Sequence, residues 1–442
     1  MAREIAEHVD SLGGRCFYVG GFVRDALMGN ENKDVDIEVH GISPKQLEDI
    51  LDSLGTRISI GESFGIFNLK GYNLDIAMPR REKVRGHGHK DFDIFVDPFI
   101  GTEAAAGRRD FTFNALMQDV LTNEIVDHFG GKEDLDRGLL RHVNDEAFAE
   151  DPLRVLRGAQ FAARFNFSLA QETIELCRSM DLSHLPCERI EGELNKALLK
   201  ATHPSIFFEA LREMEQLDVW FPELKALIDV MQNPVHHAEG DVWTHTMMVI
   251  DEAAKFKHHA SSPLWFMYAA VCHDFGKAVC TEEKNGVIHS YQHETKGLPI
   301  VECFIRRISN EVKLLEYAEN MTELHMSPLI AAFNNSSVKS TNKLFDRSLD
   351  PIGLIYLSLA DDRGRINTNS TNSSEEFLLD RLSIYEEYMS RPYVTGKDLV
   401  DSGLKPSKEF SEILKYSHKL RLAGVKKEDA LKQTLAYARK LR

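Results

Sequence analysis

Asp34-Val35-Asp36-Ile37-Glu38-Val39 alternates acidic and aliphatic side chains over six residues. On a β-strand, residues two apart point the same way, so Val35, Ile37 and Val39 face a core while Asp34 and Asp36 project together from the other face. Paired carboxylates on a rigid face suit divalent metal ions held against a nucleotide triphosphate, because hard Mg²⁺ prefers oxygen ligands. Upstream, Phe17-Tyr18-Val19 reads as a strand that runs through Gly20-Gly21-Phe22-Val23-Arg24-Asp25 into a helix. The glycine pair supplies backbone N–H groups that can approach phosphates closely. Neighbouring metal and phosphate sites point to nucleotidyl transfer.

The 442 residues suffice for two to four domains with real cores. No apolar run approaches the roughly 20 residues that span a bilayer. The start, Met1-Ala2-Arg3-Glu4-Ile5-Ala6-Glu7, lacks the apolar stretch of a secretory signal. Six cysteines (16, 177, 187, 272, 280 and 303) without CxxC spacing suit reduced thiols. The expectation is a soluble, cytoplasmic protein with no membrane partner. A net charge of −16 argues against indiscriminate nucleic-acid binding. Residues 391–442, however, carry thirteen Lys/Arg against six Asp/Glu. A basic tail on an acidic body can grip one polyanion at one place; surplus lysines on a solvated helical face are the plainer alternative.

Short β-like runs (16–20, 34–39, 65–70, 73–78, 92–96 and 124–127) alternate with helical patterns up to about residue 140. From about 145 the pattern turns helical, over 149–165, 170–180, 188–200 and 205–217. The expected fold is therefore α+β: a mixed head followed by an all-α body. Asn334 to Lys343 and Ile366 to Glu376 are polar, low-complexity loop candidates, and Pro79 to Lys90 reads as a mobile loop.

Three further constellations belong with the acidic strand. Arg108-Arg109-Asp110-Phe111-Thr112-Phe113-Asn114-Ala115 places two guanidinium groups just before a helix, where they can fork around phosphate or ribose oxygens. Asp127-His128-Phe129-Gly130-Gly131 is a tight turn after a strand. Glu150-Asp151-Pro152-Leu153-Arg154-Val155-Leu156-Arg157 starts a helix with proline near its first turn, where a missing N–H is harmless. Asp151, Arg154 and Arg157 recur every three residues there and share a face. A carboxylate accepts from the exocyclic amine that cytosine and adenine both carry, and a guanidinium donates to their ring acceptors. Guanine and uracil present a carbonyl where the amine is needed and would leave a buried carboxylate unpaired. Such a pair selects C and A without a template.

GGFVRD, DVD, RRDFTFNA and EDPLRVLR, in that order, resemble the motifs of bacterial-type (class II) CCA-adding tRNA nucleotidyltransferases, in the polymerase-β-like superfamily. The resemblance implies that Gly20, Gly21 and Arg24 meet the incoming nucleotide and that Asp34 and Asp36 are catalytic and bind Mg²⁺. It gives Arg109, with Arg108 beside it, to phosphate and ribose, Asn114 to the nucleotide, and Asp151 and Arg154, with Arg157 nearby, to the base edge. Asp75 stands where some superfamily members have a third carboxylate. Many relatives carry an arginine where this chain has Gln160, a contact that Arg164 could take over. The partners implied are the tRNA 3′ end, CTP and ATP. The resemblance divides the chain into a head (1–142), a helical neck (143–228), an HD domain (229–370) and a basic helical tail (371–442).

The HD assignment rests on Trp243-Thr244-His245, Cys272-His273-Asp274-Phe275-Gly276-Lys277, His293, His325 and Asp361. The order His…His-Asp…Asp resembles the HD phosphohydrolase signature. It implies a divalent transition metal (Ni, Mn, Co or Fe) on His245, His273, Asp274 and Asp361, which could polarise a phosphate and activate water. His293 and His325 stand as ligands or as phosphate contacts. His236, His237, His258 and His259 read as loop residues. Family members with this domain act on phosphomonoesters and 2′,3′-cyclic phosphates. Poly(A) polymerase or A-only addition shares every head motif and stays open, as does an HD phosphohydrolase acting on RNA ends.

Overall fold

A computed structural model of the chain describes residues 1–32, 34–59, 66–84, 92–366 and 372–441. The chain divides into two compact units, one of residues 1–194 with 209–219 and the other of residues 195–208 with 220–442.

The first unit is built on β1 (Arg15–Val19), β2 (Val35–His40), β3 (Arg57–Ser59), β4 (Ile66–Leu69), β5 (Leu74–Ala77), β6 (Arg80–Val84), β7 (Phe92–Val96), β8 (Met117–Asp119) and β9 (Ile125–Val126). Seven of these form one sheet in the order β3-β4-β5-β2-β1-β8-β9, in which β2 and β5 run parallel and the other pairs antiparallel. Alternation along the strands sends successive side chains to opposite faces. Ile37, Val39, Phe67, Leu74 and Ile76 are buried with Ile5, Val9, Leu47 and Leu51. These last four lie on the helices Ala2–Ser11 and Pro44–Leu54, the second begun by a Ser43/Gln46 capping box. Phe17, Val19 and Met117 pack with Ala106 and Ala115 in a second cluster. Each fully buried aliphatic here contributes roughly 1.5–3 kcal/mol relative to exposure.

The RRDFTF segment is held by aromatic packing. Phe111 and Phe113 stack at 5.9 Å, and both meet Phe161 edge-on, at 5.8 and 5.6 Å. Phe161 lies on the helix Leu153–Phe165, which ends at Asn166 in a left-handed conformation (φ 57°). This packing fixes the approach of Arg108 and Arg109.

The second unit is helical. Val242–Phe256, Pro263–Cys272, Val312–Leu324 and Pro351–Arg363 carry the residues of its polar centre or abut them. A β-carbon on Gly364 would lie 2.5 Å from a Val249 methyl, so glycine permits the close approach there. Val394, Leu399, Ile413, Ala430 and Ala438 form a separate small core near the C-terminus. Among the described residues no helix is long and apolar enough to cross a membrane.

Several expectations need correction. The start of the expected loop at Pro79 is strand β6, paired antiparallel with β7; the rest of it, with His87 and His89, lies outside the described residues. The expected helix after Arg108-Arg109 is instead a single 3₁₀ turn, Thr112–Asn114. Asn334 to Lys343 is not a loop throughout, because Ser337 caps the helix Val338–Arg347 and Asn342 is buried, donating to the Leu422 carbonyl at 2.9 Å. Polar composition hid a helix whose amide has an internal partner. Ile366 to Glu376 becomes helical from Asn372. His258 and His259 lie in a 3₁₀ turn.

Candidate functional site

Gly20 ends β1 with φ 64°, a left-handed conformation that favours glycine. A β-carbon there would lie 3.3 Å from Arg109 Nη1 and 3.8 Å from Asp36 Oδ2. Turn, guanidinium and carboxylate therefore converge. Around them is a cleft of about 380 Å³ whose polar lining includes Asp36, Glu38, Asp75, Arg108, Arg109 and Arg154.

Asp36 is partly buried on β2 and faces Asp75 across the parallel β2–β5 register. Burial and then the Asp75 carboxylate raise its pKa above the ordinary aspartate value; Arg109 opposes the shift and Asp34 adds to it. Both neighbouring carboxylates thus disfavour ionisation of Asp36, a repulsion that a cation would offset. Asp34 is exposed and stands just before β2, so the expectation that both acids project from the strand holds for Asp36 alone. Asn73 donates to Asp34 at 2.8 Å and Asn68 to Asp75 at 2.9 Å, fixing both outer carboxylates.

Glu38, unassigned from the sequence, lies 3.3 Å from Arg109 and 2.8 Å from His40. Burial would raise its pKa, but His40 and Arg109 outweigh it and hold the carboxyl below the usual glutamate range. Arg109 is thus oriented by a buried anion. Arg108 donates to the Arg80 carbonyl.

Arg24 and Asn114 were expected at the nucleotide, but neither lines the cleft. Arg24 is buried, bonded to Asp25 (2.7 Å) and Asn114 (2.8 Å), with its guanidinium 4.7 Å over Phe165. Asn114 passes the chain on to Asp110 (2.9 Å), which Arg157 grips at 2.8 and 2.5 Å. Asp25 in turn accepts from Asn32, whose Oδ1 receives the Asp34 N–H, each at 2.9 Å. Arg157 therefore takes part in an internal network while its side chain stays partly exposed.

Asp151 accepts from Arg189 at 2.9 and 3.2 Å and from the Leu153 N–H. Arg189 drew no attention in the sequence, since a lone arginine on a helix has no motif. Arg154 lines the cleft, with Nη1 on the Ala147 carbonyl (2.5 Å) and Nη2 on that of Arg108 (2.8 Å). Gln160 is buried, and its Nε2 has no hydrogen-bond partner among the described residues; Arg164 lies over Phe165 instead. Asp127 accepts from the Gly131 and Lys132 N–H groups, so the tight turn is a helix cap.

In the second unit, residues distant in sequence meet in a buried centre. His245 Nε2 is 3.0 Å from Asp361 Oδ1 and 3.5 Å from Asp274 Oδ2; His273 Nε2 is 3.3 Å from Asp274 Oδ2. Lys277 Nζ lies 2.6 Å from the same oxygen, and Arg365 donates to Asp361 at 3.1 Å. His293 Nε2 lies 3.2 Å from Asp274 Oδ1. His245, His273 and Asp361 form one group able to hold a metal ion, and Asp274, His293 and His325 form another. His237 does sit in a turn, yet its ring is 4.9 Å from that of His245, and Glu239 Oε1 lies 2.8 Å from His237 Nδ1 and 3.1 Å from His245 Nδ1. Glu239 was missed because nothing around it in sequence marks it.

Residues 16–141 match the family described as poly A polymerase head domain, and residues 166–228 match a probable RNA and SrmB-binding site of polymerase A. Together with the sheet and its acidic cleft, these define a nucleotidyltransferase. The multifunctional CCA protein of Actinobacillus pleuropneumoniae (serotype 5b, strain L20) is 39% identical over 316 residues, 70% of this chain and 74% of that protein. That of Pasteurella multocida (strain Pm70) is 36% identical over 407 residues, 88% and 92% of the two chains. The chain belongs to the multifunctional CCA protein family. A Thermotoga maritima CCA-adding enzyme complexed with tRNA shares its fold over 99% of this chain and 94% of that one, with a TM-score of 0.67 at 19% identity.

Proposed function

We propose that the chain adds C, C and A to the 3′ end of tRNA from CTP and ATP, without a template. One observation carries the reading at the level of chemistry: Asp36 and Asp75 share a cleft with Arg108, Arg109 and Arg154, beside the Gly20 turn. Asp34, Asp36 and Asp75 would hold Mg²⁺; their all-oxygen donor set fits that ion. Bound there, Mg²⁺ supplies charge neutralisation for in-line attack of the 3′-hydroxyl on the α-phosphorus. Gly20 and Gly21 leave room for phosphate, and Arg108 and Arg109 balance its charge. Asp151 and Arg154 read the amine-bearing base edge. Arg24, Asn114 and Arg157 act from behind, holding the turns that carry these groups.

We assign the head to 1–142, a tRNA-seating neck to 143–228, the HD domain to 229–370 and the basic tail to 371–442. His245, His273, Asp274 and Asp361 would hold a divalent transition metal, which mixed imidazole and carboxylate donors favour. The chemistry that fits is hydrolysis of phosphomonoesters or cyclic phosphates at RNA ends.

The test incubates the protein with tRNA lacking its terminal nucleotides, supplying each triphosphate alone and then CTP with ATP. Growth should stop at three nucleotides and require both. A ladder with ATP alone would convert the reading to poly(A) polymerase. An Asp36→Ala enzyme extending at the parent rate would remove it.

A further inference from the structure

One face of β2 carries three ionisable side chains in succession. Asp36, Glu38 and His40 are two residues apart, so the strand sends them all the same way. His40 closes the row, its ring edge-on to Phe17 at 5.3 Å and its Nε2 2.8 Å from Glu38 Oε1. A carboxylate only accepts, so Nε2 carries the proton and donates it. Glu38 is thereby held by one oxygen, while the other, Oε2, accepts from Arg109 Nη2 at 3.3 Å. Both Glu38 and Arg109 line the cleft with Asp36.

A carboxylate is out of place in a triphosphate cleft, where its charge alone repels the substrate. Its neighbours supply the reason. Arg109 Nη1 and Asp36 Oδ2 border one point on the Gly20 turn, 3.3 and 3.8 Å from where a β-carbon of that residue would lie. Arg109 is therefore within reach of Asp36, and its charge already favours the ionised form of that carboxyl. Were the two to pair, a metal-binding carboxylate and a phosphate-binding guanidinium would be occupied together, each satisfying the other. Glu38 competes for the same guanidinium from two residues further along the strand. The Asn114 carbonyl, 3.5 Å from Nη1, holds the other arm.

We propose that Glu38, braced by His40, is a positioning residue for nucleotidyl transfer: it draws Arg109 away from Asp36, leaving the carboxylate open to Mg²⁺ and the guanidinium aimed at the triphosphate. The role rests on the nucleotidyltransferase reading of the head. Glu38 touches neither metal nor substrate in it and acts through Arg109. The strand Asp34-Val35-Asp36-Ile37-Glu38-Val39-His40 thus sets ligand, counter-ion and brace at successive positions of one face.

The test titrates CTP into the full chain calorimetrically without tRNA, in Mg²⁺ and in EDTA, so that nothing is turned over. Glu38→Gln keeps the size of the side chain and an oxygen for the His40 proton, but removes the charge that holds Arg109. It should weaken CTP about 10-fold in both conditions, as the loss of an oriented charged contact does. The Mg²⁺ concentration for half-maximal tRNA extension should rise as well. Removing a bystander anion would instead tighten CTP, so a stronger or unchanged affinity overturns the proposal. His40→Phe keeps the packing on Phe17 and every charge in the cleft, and serves if Glu38→Gln does not fold. It should weaken CTP in the same direction, and parent affinity there overturns the bracing.

Arg109→Ala supplies the second arm. Adding Glu38→Gln to it should bring no further loss of CTP affinity and no further change in Mg²⁺ dependence, because the partner is already gone. A full additional loss in that background would make Glu38 act independently of Arg109 and overturn the proposal. A parent chain that neither binds CTP nor extends tRNA rejects the nucleotidyltransferase reading itself, a result distinct from all of these.

Discussion

Asp36 and Asp75 stand in register on the parallel strands β2 and β5, although 38 intervening residues separate them in sequence. Asp75 raises the pKa of Asp36 more than Asp34 does. Asp75→Asn should therefore lower kcat on the order of 100-fold and weaken Mg²⁺ dependence in steady-state extension assays. If Asp75 were only an electrostatic neighbour, kcat would survive. The acid limb of the pH–rate profile would then move to lower pH, because removing a negative charge lets Asp36 ionise more easily.

Base choice should reside in the Asp151 carboxylate. Asp151→Ala is expected to narrow the kcat/KM preference for CTP over UTP by about 10- to 100-fold, the worth of a paired hydrogen-bond readout. Arg189→Ala frees that carboxylate from its ion pair and should change selectivity less than Asp151→Ala does. Single-nucleotide incorporation with each triphosphate measures both. Equal preference ratios in parent and Asp151→Ala enzymes would reject the assignment.

Asp110 ties the helix Leu153–Phe165 to the RRDFTF turn through Arg157. Burial alone would raise its pKa, but Arg157, Asn114 and the Phe111 N–H outweigh it and hold the carboxyl below its ordinary value. A depressed folded-state pKa gives stability that is present above the unfolded value of about 3.9 and is lost as pH falls through the folded value. Asp110→Asn should cost about 3 kcal/mol near pH 7. The gap from the parent should close as the pH drops below about 4, read by urea melts across pH. A gap that stays constant with pH would mean the cost is steric rather than ionic.

Gly131 is excluded from substitution by packing. A β-carbon there would fall 2.2 Å from the Thr112 carbonyl oxygen. Gly131→Ala should destabilise by roughly 1–3 kcal/mol and raise KM for the triphosphate, since the displaced turn carries Arg108 and Arg109. Thermal melting and steady-state kinetics measure the two effects. A melting temperature matching the parent would show that the turn yields at no cost.

Periodicity and turn chemistry were enough to place β1, β2, β4, β5, β7 and β9, the glycine turn and the helices between residues 149 and 217, because those signals are local. The motif residues were legible for the same reason, being short strings with a recognisable chemistry. Glu38, Glu239 and Arg189 were not, since each acts on a partner far along the chain and nothing beside it in sequence marks it. Likewise, Arg24 and Arg157 read as ligand-facing arginines, and only the fold supplied Asp25 and Asp110 as counter-charges and Asn114 as a neutral hydrogen-bond acceptor.

The sequence by itself determined which residues could do chemistry here: alternation put an acid on the open face of a strand, and composition put histidines on helices. Which of them meet was decided only by tertiary structure. Strand register set Asp75 against Asp36, and helix packing turned three imidazoles toward one carboxylate. Proximity between distant residues is a property of packing, and no local pattern encodes it.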